Sequence, residues 1–183
     1  MKCLTFAAGI AMVAIPLSAA TSATFTLGGP LSQLCYQSAL AEDARPSALQ
    51  GCDRSLSEEA LTAPDRAATY VNRGILHMIR GQDADAEADF NSAMAIDQGL
   101  PDPWLNKGFL RIKQDNSREA LPLLNEGIKR QPRREALAFF ARGLAYEDVG
   151  DLRAAYADLR RAHDLEPRWS LPNEYLARYQ VRR

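Results

Sequence analysis

Two cysteines carry the clearest chemistry in the sequence. Cys35 and Cys52 are too far apart along the chain for a CxxC redox or zinc motif. One straight helix would hold them about 25 Å apart, whereas bonded cysteines have α-carbons within about 7 Å. Pro46 supplies a helix break between them. We therefore predict a Cys35–Cys52 disulfide across a helical hairpin, with two buried free thiols as the alternative.

Four acidic residues are concentrated in the stretch DADAEADF, residues 83–90. On a helix, Asp83 and Glu87 share one face and Asp85 and Asp89 share another, so each like-charged pair repels. The helix dipole favours acids near its amino end and partly offsets that repulsion. We predict a solvated acidic face and no metal site.

Catalytic patterns are missing from the sequence. The histidines, His77 and His163, have no neighbouring serine, cysteine or acid arrangement that forms a triad or metal motif. No predicted strand precedes a glycine-rich phosphate loop. We therefore expect a protein that is not an enzyme and that needs no cofactor.

Residues 1–23 have the layout of a secretory signal peptide. Lys2 precedes an apolar run that begins at Leu4, and small-x-small cleavage patterns end at Ala20 and Ala23. The run is marginal for a membrane span, which needs about 20 apolar residues, so an uncleaved anchor is the less favoured alternative. The predicted location is periplasmic or secreted, with no membrane insertion after cleavage.

The charge balance excludes a general attraction to nucleic acid or anionic lipid. The chain has 22 basic and 23 acidic residues, for a formal net charge of −1. The abundance of arginine and alanine is associated with bacterial sequences and favours a bacterial periplasm. The remainder of the chain, without the leader, is long enough for one domain with a sizeable core.

A short motif around glycine occurs three times. YVNRG, WLNKG and FFARG end at Gly74, Gly108 and Gly143, at intervals of 34 and 35 residues. Each copy continues with an alanine twelve residues after the glycine and a large apolar residue four positions later: Ala86 and Phe90, Ala120 and Leu124, Ala155 and Leu159. Small residues at these positions allow two helix backbones to approach closely.

This pattern resembles the tetratricopeptide repeat, a 34-residue helix-turn-helix unit, over residues 67–169. The resemblance implies an all-α fold, a right-handed superhelical stack of antiparallel helix pairs with three repeats at residues 64–169. The sequence departs from the family pattern where Arg73, Lys107 and Arg142 replace a leucine, and where Pro122 lies inside a helix.

The flanking segments are predicted to cap the stack. Residues 24–63 form the cysteine hairpin, a degenerate repeat, and residues 170–183 form a C-terminal capping helix. Gly81 and Gly150 are predicted to end helices in the left-handed conformation.

The resemblance also implies a concave groove lined by the first helix of each pair. Its residues are Val71, Asn72, Ile75, Leu105, Asn106, Phe109 and Lys113. The asparagines carry the amide that family members often direct at a bound peptide backbone, although solvation on a helix face is the alternative for both. Ala141 replaces the amide in the third repeat, and the basic residues that clamp a terminal carboxylate in some relatives are absent.

These patterns predict a non-catalytic adaptor of the bacterial cell envelope that binds a segment of a partner protein in the concave groove. The alternative is a structural subunit of an envelope assembly.

Overall fold

The computed structural model describes residues 4–6 and 22–181, and their secondary structure is almost entirely helical. The helices are α1 (Pro30–Leu40), α2 (Pro46–Glu58), α3 (Ala63–Ile79), α4 (Asp83–Ile96), α5 (Asp102–Lys113), α6 (Ser117–Lys129), α7 (Glu135–Asp148), α8 (Leu152–Leu165) and α9 (Ser170–Leu176). Two three-residue strands, β1 (Leu4–Phe6) and β2 (Tyr179–Val181), pair antiparallel.

Consecutive helices pack as pairs, and successive pairs stack along the molecule. The pairs are α1 with α2, α3 with α4, α5 with α6, and α7 with α8, while α9 packs on α8. Apolar side chains form three core clusters along this stack. The predicted all-α stack of helix pairs is confirmed; the short strand pair was not predicted.

Glycine is needed where the helices of one pair approach each other. A Cβ added to Gly74 would lie 2.6 Å from a ring carbon of Phe90, and one added to Gly108 would lie 2.7 Å from Leu124. The predicted contact of small and large residues is therefore present. Gly81 and Gly150 end their helices at φ 74° and 85°, as expected for the left-handed conformation.

The predicted disulfide is present between Cys35 on α1 and Cys52 on α2. Their α-carbons are 4.9 Å apart, and both residues are fully buried in the first core cluster. The chain reverses between Leu40 and Pro46, which is the helix break that the sequence predicts.

The prediction of a solvated acidic face holds for Asp85, which is exposed, and is wrong for Asp89. Asp89 is buried, and both of its carboxylate oxygens accept hydrogen bonds from the Arg73 guanidinium, at 2.9 and 2.7 Å. Asp83 pairs with Lys113 at 2.6 Å. Cations from neighbouring helices neutralise these acids, an arrangement that spacing within one helix cannot reveal.

The same ion pairs explain one departure from the family pattern. Arg142 binds Asp158 in the third repeat as Arg73 binds Asp89 in the first. In the second repeat the corresponding residue is Leu123, and Lys107 pairs instead with Glu87 of the preceding repeat, at 3.1 Å. A basic residue before each glycine is therefore held by an acid.

The carboxyl-terminal cap is shorter than the predicted helix over residues 170–183. Helix α9 ends at Leu176, and Tyr179 lies in β2. Tyr175 packs edge-on against Phe140, with ring centroids 5.3 Å apart, so α9 still covers the last apolar face. Tyr179 is also buried in this cluster.

Most of the predicted signal peptide, residues 1–23, lies outside the described residues. Among residues 4–6 and 22–181, no helix combines the length and apolar character that a membrane span requires.

Candidate functional site

The candidate site lies on α3 and α5, the first helices of two successive repeats. Asn72 on α3 and Asn106 on α5 are both fully buried. They are therefore not solvated helix-face residues. An extended segment of the same chain, residues 22–27, precedes α1 and covers both asparagines.

Each asparagine holds both backbone groups of one residue in this segment. The Thr24 N–H donates to Asn72 Oδ1 at 2.8 Å, and Asn72 Nδ2 donates to the Thr24 carbonyl at 2.8 Å. The Ser22 N–H donates to Asn106 Oδ1 at 3.1 Å, and Asn106 Nδ2 donates to the Ser22 carbonyl at 3.1 Å. A side-chain amide can do this because it carries a donor and an acceptor side by side. We call these two residues the asparagine clamp.

Two carboxylates extend the clamp to side chains of the segment. Asp102 lies one helical turn before Asn106, and its carboxylate accepts a hydrogen bond from the Ser22 hydroxyl. Asp65 lies two turns before Asn72 and accepts from the Thr26 hydroxyl and the Leu27 N–H, both at 2.8 Å.

The electrostatic environments of the two carboxylates differ. Burial raises the pKa of Asp102, against the opposing effect of the Ser22 hydroxyl. The Thr62 hydroxyl, followed by the Thr26 hydroxyl, holds the pKa of Asp65 below its usual value despite partial burial.

The small hydroxyl side chains of the segment lie against α3 and α5, Ala23 packs against the first core cluster, and the large apolar side chains are exposed. Ser22 and Thr26 are 3% and 1% exposed, whereas Phe25 and Leu27 are 51% and 79% exposed. This period of two is that of an extended strand, in which alternate residues share a face. The groove therefore encloses hydroxyl side chains and leaves the large apolar ones outside.

The arrangement of helix pairs matches that of known repeat proteins. MamA from Desulfovibrio magneticus RS-1, residues 41 to the end, superposes with a TM-score of 0.62 at 20% identity, covering 81% of this chain and 82% of that one. The TPR domain of Arabidopsis OM64 gives 0.59 at 17% identity, with 64% and 96% covered. The chain has the tetratricopeptide-repeat (TPR) fold.

A further TPR structure is similar, YrrB, described as a TPR protein with an unusual peptide-binding site. It superposes with a TM-score of 0.58 at 18% identity, covering 78% of this chain and 71% of that chain. No family model matches the sequence, and no curated protein matches it significantly. At these identities the likeness is one of fold.

The other predicted groove residues of the TPR stack are placed differently from the asparagines. Val71 and Ile75 are buried in the first core cluster, and Leu105 and Phe109 are buried in the second. Ala23 of the segment packs against the first cluster. Val71, Ile75, Leu105 and Phe109 therefore belong to the core between the helices.

Lys113, predicted as a groove residue, is held by its neighbours. Its Nζ lies 2.6 Å from Asp83 Oδ1 and 3.2 Å from the Met78 carbonyl, so it bridges two repeats. Ala141, which occupies the third repeat's clamp position, is buried and carries no amide.

The docked segment, residues 22–27, and the carboxylates of Asp65 and Asp102 are not predicted from the sequence. The available signals were the alternation of Ser22, Thr24 and Thr26, and the placement of each acid on its asparagine's helix face. The residues around Ala23 were interpreted only as a cleavage pattern. An acid several residues before an asparagine is also too common to single out.

His77 lies near two aspartates of α4. His77 Nδ1 lies 4.0 Å from Asp85, and its Nε2 lies 3.9 Å from Asp89. Within the described part of the chain, no group of three or more His, Cys, Asp or Glu side chains could hold a metal ion.

Proposed function

We propose that this chain is a non-catalytic protein-interaction module of the bacterial cell envelope. Its concave surface binds an extended segment of a partner protein. The observation that carries the proposal is the asparagine clamp, in which Asn72 and Asn106 each bind the backbone N–H and C=O of one residue.

The clamp has the properties that recognition of an extended backbone needs. Backbone hydrogen bonds supply affinity independently of sequence, as in other modes of extended-peptide recognition. Asn72 and Asn106 are buried, so an empty clamp leaves polar groups that water or another backbone has to satisfy. Ala23 of the segment packs against the first core cluster, which adds apolar contact without selecting a large side chain.

The segment at residues 22–27 acts in this proposal as a bound peptide supplied by the chain itself. It has no helix or strand of its own and contacts two repeats through side-chain and backbone hydrogen bonds. A partner segment with the same backbone geometry competes with it for the clamp. The structural likeness to YrrB, a TPR protein described as having a peptide-binding site, supports this use of the fold.

Two features support the envelope location. The leader layout of residues 1–23 is that of an exported protein, and cleavage after Ala20, the first of its two small-x-small patterns, leaves residues 22–27 on the mature chain. The Cys35–Cys52 disulfide is compatible with an oxidising compartment such as the periplasm.

The test is capture of partners from a periplasmic extract by three immobilised proteins. These are the unmodified chain, the clamp variant Asn72→Ala/Asn106→Ala and a control variant, Asn91→Ala/Asn173→Ala, which removes two exposed asparagines. We expect the same partner with the unmodified chain and the control, and loss of it with the clamp variant. Equal capture by all three, with equal helical content, contradicts binding through the groove.

A further inference from the structure

The side chains of residues 22–27 indicate which partner segments the groove accepts. We infer that the groove is selective for an extended segment with small hydroxyl residues four positions apart, bound by Asp102 and Asp65. This inference rests on the proposed function and deepens it, because it names the chemistry of the partner.

Two side chains of the segment are enclosed. Ser22 and Thr26 are 3% and 1% exposed, so a larger side chain at either position has to displace its surroundings. The exposed positions, Phe25 and Leu27, impose no such limit. Selection by size therefore acts at two positions of the segment.

The hydroxyls of Ser22 and Thr26 also donate hydrogen bonds to carboxylates. Asp102 accepts from the Ser22 hydroxyl, and Asp65 accepts from the Thr26 hydroxyl at 2.8 Å. Hydrogen bonds to ionised groups are stronger than neutral ones, and a buried acceptor that loses its donor is costly. Replacing a hydroxyl with a methyl group of similar size therefore weakens binding although the shape still fits.

The asparagine clamp also sets the register of the segment, that is, which of its residues face α3 and α5. The asparagine clamp fixes the backbone at Ser22 and Thr24, so the hydroxyls of residues 22 and 26 both face the groove. A shift of one residue would move every hydroxyl away from Asp65 and Asp102. The recognised pattern is Ser/Thr-x-x-x-Ser/Thr in an extended backbone.

The test needs a full chain whose own segment has left the groove. In the variant Ser22→Pro/Thr24→Pro, proline removes both N–H groups that donate to the clamp. Intact mass first establishes that residues 22–28 are present, and thermal melting establishes that the variant is folded. Fluorescence anisotropy then measures binding of labelled acetyl-SATFTLG-amide, the sequence of residues 22–28.

Three altered peptides separate the possible outcomes. AATFVLG lacks the two hydroxyls that donate to Asp102 and Asp65 but keeps that of Thr24, and it is expected to bind at least tenfold more weakly. SATFTAG changes only an exposed position and should bind within about threefold of the parent peptide, since it loses no hydrogen bond. KATFKLG tests simple charge attraction to the two carboxylates and is expected to bind more weakly than the parent peptide.

Each result decides between the proposals. Equal binding of SATFTLG and AATFVLG, or tighter binding of KATFKLG, overturns hydroxyl selectivity and leaves the peptide-binding module intact. No binding of any peptide to the folded variant overturns the module itself. When Asp65→Asn/Asp102→Asn is added to the proline variant, the difference in affinity between SATFTLG and AATFVLG should become smaller. An unchanged difference contradicts selection of the hydroxyls by Asp65 and Asp102.

A second measurement covers the case in which the proline variant does not fold. Ser22→Ala/Thr26→Val in the otherwise unmodified chain removes the same hydroxyls and keeps every backbone donor. Hydrogen exchange at the Thr24 amide should then be at least tenfold faster than in the unmodified chain. Unchanged exchange at Thr24 overturns the selectivity.

Discussion

Asn72 and Asn106 occupy the same position in successive repeats and bind residues that are two apart in one extended segment. Asn72 holds Thr24 and Asn106 holds Ser22, so the direction of the segment along the stack is fixed. The residue between them, Ala23, turns to the first core cluster. One step from repeat to repeat along the stack therefore corresponds to two residues along the extended segment.

Gly74→Ala tests the close approach of helices within the first repeat. Alanine gains about 1 kcal/mol of helix propensity, but its methyl group would meet the fully buried Phe90 ring, and overpacking costs about 1–3 kcal/mol. We expect net destabilisation of up to about 2 kcal/mol in urea unfolding, and partial rescue by Phe90→Leu.

Gly51→Ala is the matched control for that substitution. Gly51 also lies inside a helix, but its added Cβ would have an ordinary contact of 3.7 Å with Leu34. Because the methyl group meets no steric overlap at Gly51, the higher helix propensity of alanine should decide the outcome. We expect stabilisation of about 0.5–1 kcal/mol. Stabilisation by both alanines would mean that close helix packing does not require Gly74.

Asp115→Gly tests backbone strain at the end of α5. Asp115 has φ 56° at the position where the neighbouring repeats have Gly81 and Gly150. An L-residue in this conformation costs about 1–2 kcal/mol, less for aspartate, and glycine removes that cost. We expect thermal unfolding to show that Asp115→Gly raises the free energy of unfolding by about 0.5–1 kcal/mol. In the reverse change, Gly81→Ala, the added methyl group meets no neighbouring atom. The unfavourable positive φ should lower the free energy of unfolding by about 1 kcal/mol, and an increase would contradict this explanation.

Removing the disulfide should destabilise the amino-terminal hairpin. The Cys35–Cys52 bond closes a loop with a sequence separation of 17, which contributes about 3 kcal/mol in the chain-entropy treatment. Cys35→Ala/Cys52→Ala should lower the free energy of unfolding by that order. Reductant should destabilise the unmodified chain and leave the variant unaffected, and an unmodified chain insensitive to reductant would contradict a closed bond.

Docking of residues 26 and 27 should weaken in acid. Hydrogen bonds from Thr62 and then Thr26 lower the pKa of Asp65, so the folded chain favours the carboxylate form. The resulting stabilisation is present above the ordinary aspartate pKa of about 4 and is lost as pH falls through the lowered value. Amide exchange at Leu27, corrected for its intrinsic rate, should accelerate in that range. In Asp65→Ala this acceleration should be absent; its persistence would assign the effect to another group.

The sequence predicted the features that repeat along the chain. Gly74, Gly108 and their partner residues recur at near-constant spacing, so the helix pairs and their contacts follow from one pattern. Cys35 and Cys52 were predictable because the chain reverses at Pro46. The asparagines were identified through the resemblance to TPR proteins.

Contacts between distant parts of the chain were not predictable. Asp89 meets Arg73 across two helices, and Ser22 meets Asn106 across 84 residues of sequence. Ser22 and Asn106 have no periodic signal, and the Arg73–Asp89 spacing recurs only in the third repeat, as Arg142–Asp158. Each contact depends on where the stack places the two partners. The same holds for Lys113, whose bond to Asp83 joins successive repeats.

The central claim is that Asn72 and Asn106 hold an extended backbone across α3 and α5. Its most direct test is residue-resolved hydrogen exchange at the Ser22 and Thr24 amides, in the unmodified chain and in Asn72→Ala/Asn106→Ala. We predict slow exchange in the unmodified chain and near-intrinsic exchange in the variant, with the α3 and α5 amides equally protected in both. Near-intrinsic exchange at Ser22 and Thr24 in the unmodified chain, or unchanged protection of these amides in the variant, would contradict the claim.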